Sequence, residues 1–248
     1  MNFYQHYNRL YASKDYRAEA VVVLDLLTNG DGADCQRLLE VGCGTGNHSR
    51  AFAAHNISVT AVDTDEEMIT SAQAAGPHDG VTFIAGPVEQ LPPDQFDGAA
   101  AMFNVVNYVT DRTSLISMFQ AVASHLHPAS SFVFDCWNGV AALIDPPRNE
   151  VRDFLSDGWS YHVTMTAVTD PMRQLVEVSN EFDAEGPGGE VHHFSNRLIH
   201  RLWTPAELTD VAREAGFASV HFMRWMVPGK QATAEDWKIM AVARRGAA

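Results

Sequence analysis

The spacing of hydrophobic and polar positions changes period along the chain in a regular way. Over residues 15–27 apolar side chains recur at helical spacing, with Ala18, Val22 and Leu26 among them and a stop expected near Asn29-Gly30. Residues 37–41 read as a first strand, 47–55 as a helix and 57–63 as a β-branched second strand. Asp65, Glu66 and Glu67 then place acids at the positive end of a helix reaching about Ala75. Residues 81–85 form a third strand, and 96–103 a fourth that is poor in branched residues. A helix over 114–125, ended by Pro128, leads to a fifth strand at 131–135. This β-α alternation predicts a doubly wound, mostly parallel sheet with helices on both faces, the α/β class.

After Trp137 the rhythm changes. Pro146-Pro147 breaks the chain, and residues 159–169, 173–182 and 190–203 read as three consecutive strands. Asp170-Pro171 and the Glu185-Gly186-Pro187-Gly188-Gly189 run are the turns between them. Consecutive strands with short turns make an antiparallel meander, which has no place inside a doubly wound sheet. Residues 139–203 are therefore expected as an inserted antiparallel cap over the carboxyl ends of the parallel strands, where such folds bind ligands. Thr204, Pro205 and Glu207 form an N-cap, N1 and N3 set that opens a helix to Gly216. Strands at 218–226 and 237–243 complete seven in the core. The core is thus 1–138 with 204–248, including an N-terminal lid helix.

Composition narrows the function classes. At 248 residues with 46% apolar side chains, the chain can bury one sizeable core. No apolar run approaches the roughly 18 residues of a membrane span, and residues 1–7 lack the basic and apolar regions of a secretory leader. Cys35, Cys43 and Cys136 are odd in number and far apart, which fits reduced thiols and a cytoplasmic location. The net charge of −14 and the absence of Lys/Arg clusters argue against nucleic acid. His192 and His193 are adjacent and would point to opposite faces of a strand, and no Cys or His pair has zinc spacing, so no metal is expected.

The densest chemical signal is Leu38-Leu39-Glu40-Val41-Gly42-Cys43-Gly44-Thr45-Gly46-Asn47, an apolar strand running into a glycine turn and a helix. A dinucleotide fingerprint would need glycine at position 47, and Asn stands there. The third glycine arrives one residue early, at Gly46. Seventeen residues further on, Asp63 closes the second strand, where a carboxylate can accept both hydroxyls of a ribose.

The Glu40-x-Gly42-x-Gly44-x-Gly46 run resembles motif I of the class I S-adenosylmethionine (SAM) dependent methyltransferases. The order of elements is similar to that fold through nearly the whole chain. Tyr7-Asn8-Arg9-Leu10-Tyr11 with Lys14-Asp15-Tyr16, the segment 102–108 and His193-Phe194-Ser195 resemble the small N-methyltransferases that act on amino sugars of antibiotic biosynthesis. The resemblance implies SAM as cofactor. It implies that Gly42, Gly44 and Gly46 line its methionine and ribose portion, with Glu40 and loop carbonyls suited to its cationic groups and Asp63 on the ribose. Tyr16 would reach the methionine carboxylate, and Phe103 would lie beside the cofactor. Where the family has Gly-Asp after strand three, this chain has Gly86-Pro87, so adenine contacts fall to the Val88 backbone, Glu89 or elsewhere.

The implied chemistry is methyl transfer to an amine of a small molecule. Tyr11 and Tyr108 are expected to orient the amine and Asp135 to attract it as a cation. Asn104, Asn107, Trp137 and Asn138 are expected against a hydroxylated acceptor. Each has a plainer role open to it: Tyr11 with Tyr7 as a helix staple, Tyr108 as packing, Asp135 as a turn cap, Trp137 as core. O-methylation of a sugar or polyketide hydroxyl and a non-catalytic SAM-binding module stay as alternatives. Partners expected are the small-molecule acceptor and, through the inserted sheet, a second copy of the chain. Neither nucleic acid nor membrane is expected.

Overall fold

The computed structural model describes residues 3–28, 35–76 and 79–247, so the expected helix stop at Asn29-Gly30 lies outside the described residues. Two helices open the chain, α1 (Phe3–Leu10) and α2 (Tyr16–Thr28). There follow β1 (Arg37–Val41), α3 (Asn47–Ala53), β2 (Ser58–Asp63), α4 (Glu66–Ala74) and β3 (Val81–Ala85), with a 3-10 turn at Val88–Gln90. Then come β4 (Phe96–Ala101), α5 (Val105–Tyr108), α6 (Arg112–His125) and β5 (Leu126–Trp137). The last core elements are α8 (Pro205–Glu214), β10 (Phe217–Arg224) and β11 (Lys238–Arg245), reached after α7 (Gly139–Ile144) and an inserted sheet of β6 (Glu150–Ser156), β7 (Trp159–Asp170), β8 (Leu175–Glu185) and β9 (Val191–Arg201).

The main sheet has the order β10-β11-β5-β4-β1-β2-β3. β1 to β5 are parallel, and β11 runs antiparallel to both β5 and β10. The direction of the chain across the sheet reverses between β1 and β4, so the ends of these two strands flank a crevice of the kind in which doubly wound sheets bind ligands. One face is covered by α6 and α8 around Phe119, Phe132, Phe134 and Phe217. The other carries α2 and α3 around Val23, Phe52 and Met240.

Local chemistry accounts for the main boundaries. Asp65 caps α4 by accepting from the Glu67 and Met68 N–H groups, and Thr204 and Glu207 form a complete capping box on α8. β4 lacks branched residues because α2 packs close against it. A Cβ added at Gly98 would come 2.8 Å from a Leu27 methyl.

Three expectations are corrected. Pro128 does not end α6. The helix stops at His125, and Pro128 lies within β5, beside the irregular register between Phe96 and Gly98, where a missing ladder N–H is tolerated. The inserted sheet has four strands rather than three. Arg152, Asp153 and Glu150 blur the alternation of β6, as charges commonly do on an edge strand. The short helix α7 was also not foreseen. Asn138 caps it, and its single turn and a half is too brief for periodicity to reveal.

The inner face of the inserted sheet carries Tyr161, Val163, Phe182 and Ala184, packed against Phe3 and Leu10 of α1. Its other end, around Val176 and Val178, meets Trp137 and Trp237. No described helix is long and apolar enough to cross a membrane.

Candidate active site

The glycine loop after β1 folds as its residues demand. Gly42 (φ 71°) and Gly46 (φ 76°) hold left-handed backbone, which side chains disfavour. A Cβ at Gly42 would stand 2.5 Å from a Val105 methyl, and one at Gly46 2.5 Å from the Phe83 ring. The loop is closed from the next strand. Asp63 Oδ2 accepts from the Gly44 N–H at 2.7 Å and Oδ1 from the Asp65 N–H at 2.9 Å. Burial pushes the Asp63 carboxyl up, against the pull of these two donors.

Above this loop lies a cavity of about 650 Å³, within the range of roughly 300–1,000 Å³ typical of small-molecule sites. Gly42, Gly44 and Asp63 form part of its floor, and Pro87, Val88 and Glu89 one wall. Met102, Phe103, Val105 and Tyr108 close the side after β4. The roof is Phe3, Tyr4, Tyr7 and Tyr11 of the N-terminal segment, with Asn196 and Leu198 of β9. A second, more open depression of about 550 Å³ lies beside β10 and holds, of the expected site residues, only Asn138.

The lid helix α1 is fastened to both halves of the molecule. Tyr4 donates to Asp65 Oδ2 at 2.8 Å, and the Thr45 hydroxyl donates to Asn8 Oδ1 at 2.7 Å. On the other side His6 Nδ1 lies 2.7 Å from the Tyr161 hydroxyl and Nε2 2.8 Å from His192 Nδ1. His6 is buried, stacked on Phe194 at 4.8 Å, and its pKa is lowered by burial and then by the neighbouring His192. His192 is therefore a docking residue rather than a free strand side chain, and among the described residues no group of acids, histidines and cysteines suits a metal ion.

Two of the expected catalytic residues meet at the cavity. The Tyr11 ring stands 5.0 Å from Phe103 and 4.8 Å from Tyr7. Tyr108 is 45% exposed along the cavity, with His200 4.6 Å behind it. Burial raises the phenols of Tyr7, Tyr11 and Tyr108 above their ordinary value. Phenols so raised stay protonated at neutral pH, able to donate and accept hydrogen bonds but not to act as bases.

The other expected residues are placed differently. Asp135 is fully buried away from the cavity; Oδ1 accepts from the Asn104 N–H at 2.9 Å, and Lys238 Nζ is 2.6 Å from Oδ2 in an ion pair lacking hydrogen-bond alignment. Its charge is neutralised, so it cannot draw in a cationic amine. Glu40 lies beneath the loop, bonded to the Ser49 hydroxyl at 2.5 Å, and burial pushes its carboxyl up to about 8. It does not line the cavity, and in the ligand-free fold its burial favours the neutral form. Tyr16 packs against His48 at 4.8 Å outside the cavity lining, with its phenol pushed up to about 12 by burial.

Asn107 ties distant segments together by donating to the Arg201 carbonyl and accepting from the Trp137 N–H. Asn138 caps α7 while donating to the Thr233 and Asp236 carbonyls. Trp137 stacks on His200 at 4.5 Å. Asn104 is buried at the start of α5, its Oδ1 without a partner. None of these four lines the cavity. Sequence reasoning passed over Phe3, Tyr4, Asn196 and Leu198. The aromatic spacing of Phe3, Tyr4, Tyr7 and Tyr11 is the one signal that could have added Phe3 and Tyr4 to the expected lid.

Comparison with known proteins agrees with this geometry. Residues 38–129 match the family model described as a methyltransferase domain. The chain is 26% identical over 216 residues to the dTDP-3-amino-3,4,6-trideoxy-alpha-D-glucopyranose N,N-dimethyltransferase of Streptomyces venezuelae, spanning 82% of this chain and 84% of that protein. Its fold is similar to that of a SAM-dependent methyltransferase from Clostridium acetobutylicum (TM-score 0.82, 19% identity, 99% and 100% of the two chains). It is also similar to that of the sugar N-methyltransferase KedS8 from Streptoalloteichus (TM-score 0.80, 19% identity, 99% and 93%). With a glycine loop closed by a strand-two carboxylate, a methyltransferase domain over residues 38–129 and the fold of its class I neighbours, the chain is a SAM-dependent methyltransferase enzyme.

Proposed function

We propose that this enzyme methylates the amine of a small molecule, an amino sugar carried on a nucleotide being the acceptor its relatives favour. SAM supplies an activated methyl group for in-line displacement. The chain's part is to align the amine with that methyl and to exclude water, which can supply much of the barrier lowering. Asp63 would hold the ribose hydroxyls, the loop around Gly42 and Gly44 the methionine portion, and the Val88 backbone or Glu89 the adenine. Tyr11 and Tyr108 would orient the acceptor beneath the lid, and the inserted cap would shape its pocket.

The observation that carries an amine over a hydroxyl is the nature of the walls near Phe103. Tyr7, Tyr11 and Tyr108 line that part of the cavity as phenols held protonated, and His200 sits behind Tyr108 with its pKa lowered to about 4 by burial. An amine is nucleophilic once neutral and needs orientation more than a base, whereas a sugar hydroxyl needs its proton removed as it reacts. Incubation with SAM and a dTDP-linked 3-amino sugar should give S-adenosylhomocysteine and an N-methylated product. Turnover with the matching hydroxylated sugar alone would overturn the reading. Tyr108→Phe and Tyr11→Phe should each lower kcat roughly tenfold to a hundredfold while leaving SAM affinity near wild type. Full kcat in both would take them off the catalytic surface.

We also propose a second copy on the outer face of the inserted sheet, and a cytoplasmic location, which the three scattered cysteines favour. Val151, Leu155, Val168 and Ile199 stand exposed on that face, which the strand register sets opposite the one carrying Tyr161 and Val163. Light scattering at micromolar concentration should give the mass of two chains; a single-chain mass would remove the dimer.

A further inference from the structure

Two consecutive residues after β4 hold left-handed backbone without being glycine, Phe103 at φ 75° and Asn104 at φ 63°. Such conformations persist only where the surroundings over-determine them, and they gather at functional sites. The turn carries Phe103 to the cavity wall and starts α5, which brings Val105 and Tyr108 there. A carboxylate holds the turn, since the Asn104 N–H is bonded to the buried Asp135. Lys238 reaches that carboxylate from β11, where its neighbour Met240 stands opposite Asp135. The same ammonium lies 3.6 Å from the centre of the Trp225 ring and 5.9 Å from that of Phe103. Lys14 approaches Phe103 to 4.8 Å, but its charge is already answered by Glu19, which also contacts His48.

We propose that Lys238 is a positioning residue for methyl transfer: by pairing with Asp135 it holds the Phe103-Asn104 turn in its left-handed form and so sets Phe103 and Tyr108 against the reacting centre. The proposal rests on this cavity being the methyl-transfer site. A buried carboxylate stripped of its cation takes up a proton instead of remaining charged. A protonated Asp135 is the weaker acceptor, because a charge-assisted bond to an N–H is about twice as strong as a neutral one. With that bond weakened, a turn lacking glycine relaxes toward ordinary backbone and withdraws Phe103. The groups facing Asp135 are Lys238 from β11, Lys14 from the segment before α2 and the Tyr108 phenol from α5. Among the described residues Lys14 is thus the one cation left to it when Lys238 is removed, engaged elsewhere and at longer range.

The test compares Lys238→Met, Lys238→Arg and the double variant Asp135→Asn/Lys238→Met between pH 6 and 9. SAM affinity is measured by calorimetry, and hydrogen exchange is followed over residues 102–108. Lys238→Met should weaken SAM roughly tenfold at pH 7 and speed exchange at 102–108 while protection in β1 and β2 holds. Lys238→Arg should stay within about threefold, and the double variant should recover part of the loss, because an amide oxygen accepts without a charge to compensate. Wild-type affinity and exchange in Lys238→Met at every pH would overturn the proposal. So would a loss spread over the whole sheet and unrelieved in the double variant. If the wild type methylated no amine, the proposed acceptor would fall while these SAM readouts would still decide the role of Lys238.

Discussion

Asp63→Ala should abolish most of the thermal stabilisation that SAM confers. At a hundredfold excess over its Kd, a ligand that binds only the native state adds about 2.7 kcal/mol. For a chain of this size that corresponds to a Tm rise of roughly 5–10 °C. The Asp63 carboxylate lines the cavity at the end of β2 and also orders the loop by accepting from Gly44 and Asp65. Its loss therefore removes the expected ribose contact and a loop closure together. Asp63→Asn separates the two. It keeps an acceptor for one loop N–H, so the ligand-free Tm should drop less than in Asp63→Ala, yet its SAM response should also be small. A wild-type SAM response in Asp63→Ala would take the ribose away from this residue.

Glu40→Gln should flatten the dependence of stability on pH between about 4.5 and 8. The Glu40 carboxyl is fully buried, and its pKa rises from 4.5 in the unfolded chain to about 8 in the fold, chiefly through burial, with the Ser49 hydroxyl opposing. The native state therefore holds this proton more tightly than the unfolded state does. The stability it contributes is complete below the unfolded pKa, declines as pH rises, and is lost through about 8. At about 1.4 kcal/mol per pH unit the span from 4.5 to 8 has an upper bound of about 5 kcal/mol. Glutamine keeps the bond to Ser49 and cannot ionise, so the variant should gain on the wild type as pH rises from 5 to 8 in urea unfolding. Parallel curves for the two proteins over that range would show that Glu40 ionises in the fold as readily as in the unfolded chain.

These two carboxylates mark how far the sequence could be read. Asp63 was legible because its role is local: a strand end, a glycine loop and a fixed spacing put it in place. Glu40 belongs to the same run, but its burial comes from Ser49 on α3 and the sheet above it, and no pattern along β1 records that. The parallel core was legible for the same reason as Asp63, since periodicity and caps such as Thr204 are written within a few residues. Asn107, Asp135 and Asn138 were misread because their partners are 94, 103 and 98 residues away, at Arg201, Lys238 and Asp236. A polar side chain near a strand end has the same appearance in sequence whether it faces a ligand or satisfies a distant backbone group. The lid was half legible: its aromatic spacing was visible, while its attachment through His6 to Tyr161 and His192 spans more than 150 residues.

The two-sided attachment of α1 constrains how acceptor preference can change. His6 is seated among Trp159, Tyr161, His192 and Phe194 of the inserted sheet, while Tyr4 and Asn8 of the same helix grip the core. A chimera that received residues 150–201 from another methyltransferase would leave His6 against foreign side chains and tilt the tyrosines that roof the cavity. Exchange of residues 3–16 together with that sheet would keep the seam intact. On the proposed reading, acceptor preference would be inherited as a unit of these two segments, separated in the chain by the parallel core.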